Sequence, residues 1–462
     1  LLLLAACGKT FTPDTLHSSG KIKVQILNNK LLTTDTDRNG NPFEFQVVEL
    51  LKIFDLTSLS GKYARFYTNA SNSEGKLAGN QPKAHFLKSK QGYFIPKDNF
   101  TMEIASLYFH TQNLAQLDEK VGAKDANSLP RKIIIGTKVN QISFQDNNAI
   151  YDGEMDAIIY LPYTETELTL ALNGGIFAHE YFHSLFYKYV QIKLESNPFF
   201  KDDSNSDAAI TNSASKKHTL SLAVPKFEKQ KYLSDEDVLK KLSVTKMAKV
   251  TSISKQNIKD YYEFLFKSFN EGIADYWGWS YTLDTNFIKH SIPEVNSFRS
   301  LELKDHNLST PVLFSRQNLL ALTLQPFTSD SEKYTSINAY SYQAGTRVAL
   351  FLKELTLVVS KQRNLSTEEA KIVVMKSIVN FLKTIGTNIN TMDFNQSAES
   401  LISSQDLILE FAKSFAITNM TECQLFLTSY SSDLNNLNKL SCLKNNENYE
   451  LTKVTELTNN AQ

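Results

Sequence analysis

His179-Glu180-Tyr181-Phe182-His183 reads H-E-x-x-H, a spacing with direct chemical meaning. On a helix, positions i and i+4 lie one turn apart on one face. Both imidazoles then reach one metal ion, and the glutamate between them reaches a water held by that ion. A catalytic zinc keeps three protein ligands and leaves a fourth position open. The third ligand is offered by Asn270-Glu271-Gly272-Ile273-Ala274-Asp275, where Glu271 and Asp275 are again i and i+4. Glu271 supplies an oxygen ligand. Asp275 and Asn270 accept the second ring N–H of ligating histidines and so fix their tautomers.

These residues need two helices to hold them. Asn173-Gly174-Gly175 starts the first, and Ile176, Phe177, Phe182, Leu185, Phe186 and Tyr189 give it an apolar body. The second is expected from about Ile258 to Trp279. Upstream, Met102, Ala105, Leu107, Tyr108, Leu114, Leu117 and Val121 recur at helical spacing, and Gly122 closes that run. Arg131 to Val139 and Ala149 to Leu161 read as strands. Helix, strand, strand, helix suits a sheet backed by helices. Before it, residues 20–95 read as a small β-rich part, with strands expected at Lys21–Leu27, Tyr63–Tyr67 and Ala84–Leu87. Residues 197–225 read as a polar, exposed insertion, with His218 solvated. From about 234 the chain reads mostly helical. Ser366-Thr367-Glu368-Glu369 is a capping box for a helix that Gly386 is expected to end. The expected fold class is α+β. The expected parts are a leader remnant and tether (1–19), the β-rich region (20–95), a catalytic domain (96–290) and a helical C-terminal domain (291–462).

The two motif helices together resemble the gluzincins, the zinc peptidases that include thermolysin and aminopeptidase N. The resemblance implies a zincin-like catalytic domain and a single Zn2+ on His179, His183 and Glu271. It makes Glu180 the general base for hydrolysis of a peptide bond by a metal-activated water. Asp275 would orient His179, and Asn270 would support His183. Tyr342-Gln343-Ala344-Gly345 opens an apolar helix, Val348 to Val359, and resembles the Tyr-x-x-Gly of the aminopeptidase branch. Tyr342 is therefore the candidate electrophile, with Tyr340 in reserve; a core tyrosine is the alternative. Gly153-Glu154-Met155-Asp156-Ala157 resembles the strand with which aminopeptidases line the cleft. Asp156 would hold a substrate amine there; the alternative is an ordinary edge strand. His183 and Glu271 lie 88 positions apart, wider than the family pattern, and the 197–225 insertion accounts for part of the gap.

Composition sets the remaining bounds. The 462 residues are 42% hydrophobic and 21% charged, enough for a sizeable core. Lys+Arg and Asp+Glu both number 49, so the net charge gives no reason to expect nucleic acid as a partner. Leu1-Leu2-Leu3-Leu4-Ala5-Ala6-Cys7 resembles the end of a bacterial lipoprotein leader. It implies an acylated Cys7 and an exported, membrane-anchored protein, on the outer membrane in a double-membraned cell. A signal peptide cut elsewhere is the alternative. Cys423 and Cys442 are then a candidate disulfide, or else two free thiols. The partners expected are a peptide or protein substrate and the lipid bilayer. The rival function is a non-catalytic surface lipoprotein that keeps the fold to bind peptide, glycan or a partner.

Overall fold

Alternating burial along Gly20–Asn29 (β1) puts Ile22, Val24 and Ile26 on one side of a strand, and its neighbours extend that pattern into a sheet. The computed structural model describes residues 20–30, 41–73, 76–126, 128–136, 146–201, 219–221, 253–293, 299–302, 316–324, 330–394, 397 and 400–430. Cys7, Cys442 and His218 lie outside them. The fold is mixed α and β, with two small sheets and a helical C-terminal region.

The first sheet combines β1 with Phe43–Asp55 (β2), Ser60–Gly61 (β3), Phe86–Lys88 (β6) and Phe94–Pro96 (β7), in the order β3-β2-β1-β7-β6. The second takes Ala64–Ser73 (β4), Lys76–Asn80 (β5), Arg131–Ile135 (β8), Ala149–Asp152 (β9), Ala157–Tyr160 (β10) and Thr219–Ser221 (β11). Its order is β11-β9-β10-β8-β4-β5. Strand β4 runs parallel to β8, and helix Asn99–Val121 (α1) makes the crossover that a parallel pair requires. Two strands from the region expected to stand apart thus belong to the second sheet, and a cut at residue 95 would divide it. One apolar core also continues from Val24 of β1 to Phe411 and Phe426 near the C-terminus, across the expected boundary at 290.

Three boundaries differ from the sequence reading. The stretch expected as one strand from Ala149 to Leu161 is a hairpin, because Asp152 Oδ1 accepts from Met155 N and turns the chain. The helix started by the Ser366 capping box, Thr367–Asn388 (α7), runs past Gly386. That glycine lies in helical backbone against the Tyr189 carbonyl, where any Cβ would collide. Tyr342 and Gly345 lie well inside helix Asp330–Gln362 (α6) rather than at its start. The polar insertion also supplies an element, since β11 pairs with β9.

Helix Gly174–Phe186 (α2) begins at Asn173, whose side chain accepts from the Gly175 and Ile176 N–H groups. Asn29 at the end of β1 accepts from Gly174 N at 2.9 Å. A π-turn, Tyr187–Gln191, carries the chain on into the short helix Ile192–Ser196 (α3). The long helix Lys255–Thr282 (α4) packs between α2 and α6. Both contacts are backbone-close, and glycine makes them so. A Cβ on Gly278 would lie 2.8 Å from the Gly175 carbonyl oxygen. A Cβ on Gly345 would lie 2.9 Å from Gly272 N, and one on Gly272 would collide with the Gly345 carbonyl. Helix Arg316–Thr323 (α5) packs on α4 as well; Ser404–Ser414 (α8) and Met420–Tyr430 (α9) complete the helical part. Cys423, in α9, is buried and disulfide-bonded. Among the described residues, no helix is long and apolar enough to cross a membrane.

The α4–α6 contact gives a direct test. Gly272→Ala should cost about 1–3 kcal/mol of stability, because two helices must separate to admit one methyl group. It should also weaken metal binding, since Glu271 is the neighbouring residue. Denaturant unfolding and metal titration read both effects.

Candidate metal centre

Helices α2 and α4 bring the H-E-x-x-H and Asn270–Asp275 segments face to face. His179, Glu180, His183 and Glu271 have no exposed surface, and Asn270 and Asp275 are 1% exposed. His179 Nε2 and His183 Nε2 are 3.0 Å apart. Glu271 Oε2 lies 3.5 Å from the first and 3.9 Å from the second. Ligands about 2.1 Å from a tetrahedral ion lie about 3.4 Å apart, so the observed separations bracket that value.

The far side of each ring fixes its proton. His179 Nδ1 faces Asp275 Oδ1 at 2.9 Å, and His183 Nδ1 faces Asn270 Oδ1 at 3.0 Å. Both partners are acceptors, which places the N–H on Nδ1 of each neutral ring. The two Nε2 lone pairs then converge on one point beside a buried carboxylate. The Glu271 and Glu180 carboxylates are both fully buried beside that point. Buried anions beside two imidazole nitrogens call for a positive charge, which a proton on His179 or a metal ion would supply. The residues therefore fit a divalent ion with nitrogen and oxygen ligands, as zinc takes.

His179, Glu180 and His183 alone also lie close enough to share an ion. Electrostatics separates the two glutamates. Burial would raise Glu271, but the hydrogen bond with His179 and the charges of His183, His179 and Arg299 hold it below the ordinary glutamate value. Glu180 is pushed up to about 8, chiefly by burial. A carboxylate with lowered proton affinity suits a ligand, and one with raised proton affinity suits a proton acceptor. Burial lowers His183 to about 4. Burial would lower His179 too, but its Asp275 and Glu271 partners outweigh that and bring it up to about 9.

Arg299, which the sequence reading missed, completes the inner layer. Its Nη2 and Nε donate to Asp275 Oδ1 and Oδ2 at 2.6 and 3.2 Å, and Nη2 lies 3.8 Å from Glu271 Oε2. The guanidinium also sits 4.5 Å above the Tyr342 ring. Burial would raise Asp275, but Arg299 first and His179 second hold it below its ordinary value. Tyr342 is one turn before Gly345, on the face of α6 that meets Glu271. The only hint of Arg299 in the sequence is scarcity: arginines number 7 among 49 basic residues.

Other candidates lie elsewhere or are engaged. Asp156 adopts a φ of 49° in the β9–β10 turn. It accepts from Arg131 Nη1 and from the Tyr151 hydroxyl, each at 2.8 Å, with Lys188 Nζ at 3.5 Å. That carboxylate is thus engaged by two cations and a phenol. The Tyr340 ring packs edge-on against Phe264. Trp277 packs on Phe182, and Trp279 on Tyr276. The sequence matches no family model and no curated protein.

Proposed function

We propose that this chain is a zinc-dependent peptidase of the gluzincin type. The observation that carries the reading is the carboxylate oxygen of Glu271, 3.5 and 3.9 Å from two imidazole nitrogens that point at the same place. His179, His183 and Glu271 would hold the ion. A bound zinc ion would supply Lewis acidity and a water of lowered pKa. Glu180 would accept a proton from the attacking water and return it to the leaving nitrogen. Tyr342 is the candidate hydrogen-bond donor to the carbonyl oxygen. Asp275 and Asn270 keep both rings in the ligating tautomer, and Arg299 keeps Asp275 ionised. The leader-like start at Leu4-Ala5-Ala6-Cys7 supports an exported protein anchored through Cys7.

Chelation tests this reading. The purified protein should hold about one zinc per chain. Dialysis against chelator should abolish peptide hydrolysis and lower the melting temperature, and zinc should restore both. At an ion concentration 100 times Kd, binding adds about 2.7 kcal/mol of stability. Hydrolysis indifferent to chelator would refute the proposal.

One observation favours the non-catalytic rival. All four central side chains lack exposed surface, so a peptide reaches Glu180 only through a cleft that opens. A zinc-loaded protein that binds peptides from a diverse library and cleaves none would establish that rival.

A further inference from the structure

Strand alternation assigns each residue of β1 and β2 to one face of the first sheet. Ile22, Val24 and Ile26 lie in the core, and Leu50 and Val48, the partners of the first two, pack there with them. Lys23, Gln25 and Leu27 therefore face outward, paired with Glu49, Val47 and Phe45. A bulge then shifts the register by one, since Ile22 pairs with Leu50 but Gly20 with Ile53. The shift keeps Ile53 in the core and turns Phe54 to the outer face, beside the point where the chain enters β1. Strands β7 and β6 add Ile95 and Leu87, which pair with each other and belong to neither apolar core. Phe45, Val47 and Phe54 are 65%, 46% and 60% exposed. They are three of the five large apolar side chains left exposed among the described residues, so the outer face of one sheet holds most of that surface.

A single exposed apolar residue needs no explanation, but a band across four strands does. Its charged neighbours are mostly cations. Lys21 and Lys23 flank it on the same face, with Glu49 as their acidic counterpart, and Lys52 stands exposed in the bulge. Two copies of this face would bring like charges together, whereas a layer of anionic headgroups complements them. The tether points to the same occupant. Cys7 lies 13 positions before Gly20, a reach of at most about 45 Å, and Gly20 enters the sheet beside Phe54. An acyl group on Cys7 would therefore hold this sheet, before any other part of the fold, close to the bilayer. We propose that the outer face of the first sheet docks on a lipid bilayer. Phe45, Val47 and Phe54 enter the interface, and Lys21, Lys23 and Lys52 meet anionic headgroups. The inference rests on the reading of Cys7 as a lipid anchor and adds a second attachment to it, one that lays the body on the membrane in a fixed orientation.

The test uses the chain from residue 7 onward, carrying Cys7→Ser so that no acyl group is attached. The probes are phosphatidylcholine vesicles with and without phosphatidylglycerol. Flotation at low salt should carry the protein with the vesicles that contain phosphatidylglycerol. Phe45→Thr with Phe54→Thr should weaken that binding about tenfold or more. Lys21→Gln with Lys23→Gln should weaken it about fivefold per lysine, on the anionic vesicles only. Leu357→Gln, which removes an exposed apolar side chain elsewhere, should leave it unchanged. Each altered side chain is exposed, so every variant should keep the parent melting temperature. Failure to float, or flotation that the paired phenylalanine variant leaves intact, would overturn the proposal. A dimer in solution that the same variant dissolves, with no flotation, would give the face to a second copy and overturn it too. Mass spectrometry of the wild-type chain extracted from bacterial membranes tests the anchor separately. An acylated Cys7 without vesicle binding would keep the anchor and reject the docking face. Vesicle binding with an unmodified Cys7 would keep the docking face and reject the anchor.

Discussion

Glu180→Gln is expected to hold zinc as the wild type does and to hydrolyse peptides about 10²–10⁴-fold more slowly. The amide matches the carboxylate in shape, so the α2 backbone and the two histidines one and three positions away keep their places. What is lost is the ability to take up a proton. Glu180 has no exposed surface, and burial lifts its pKa to about 8, which suits that role. A group needed only as the proton moves affects the chemical step, so kcat should fall while KM changes little. Metal stoichiometry and steady-state kinetics on one peptide check both halves. A variant that keeps its metal and loses less than about tenfold in kcat would remove Glu180 from the role of base.

The metal candidates were legible because their spacing carries geometry by itself. His179 with His183, and Glu271 with Asp275, are each one helical turn apart, so each pair shares a face wherever its helix goes. Local signals were legible for the same reason: the Asn173 cap, the Gly122 stop and the Ser366–Glu369 capping box all act within a few residues. What depends on distant partners was not. Arg299 matters only because Asp275 and Tyr342 meet it in space. Gly386 looks like a helix stop until the Tyr189 carbonyl is seen against it. The β4–β8 pairing joins strands more than fifty positions apart, and no local pattern marks which strands will pair. The partners of Asp156 were hidden for a related reason. Its acidic type was visible, but the buried Arg131 that neutralises it was a basic residue at the start of a strand, with nothing to mark it as a partner.

Asp275→Ala should be the most damaging change to the protein as a whole, through two separable routes. Arg299 is buried and loses both bonds of its paired contact, with Glu271, 3.8 Å away, and the Tyr342 ring, 4.5 Å away, left to face its charge. Stranding a buried guanidinium in this way costs about 3–5 kcal/mol. His179 also loses the acceptor on Nδ1 that fixes its ligating tautomer, which should weaken zinc binding about 10- to 100-fold. The double variant Asp275→Leu with Arg299→Met separates the routes. Apolar side chains of similar size leave no buried charge behind, so most of the lost stability should return, while the loss in zinc affinity should persist. Denaturant unfolding in chelator reads the first quantity, and competition against a chromophoric chelator reads the second. If the single variant lost less than about 1 kcal/mol, Arg299 would have another neutralising contact and the arrangement of the layer behind His179 would need to be redrawn. If the double variant recovered its zinc affinity along with its stability, Asp275 would serve to hold Arg299, and the orientation of His179 would come from packing against Glu271 instead.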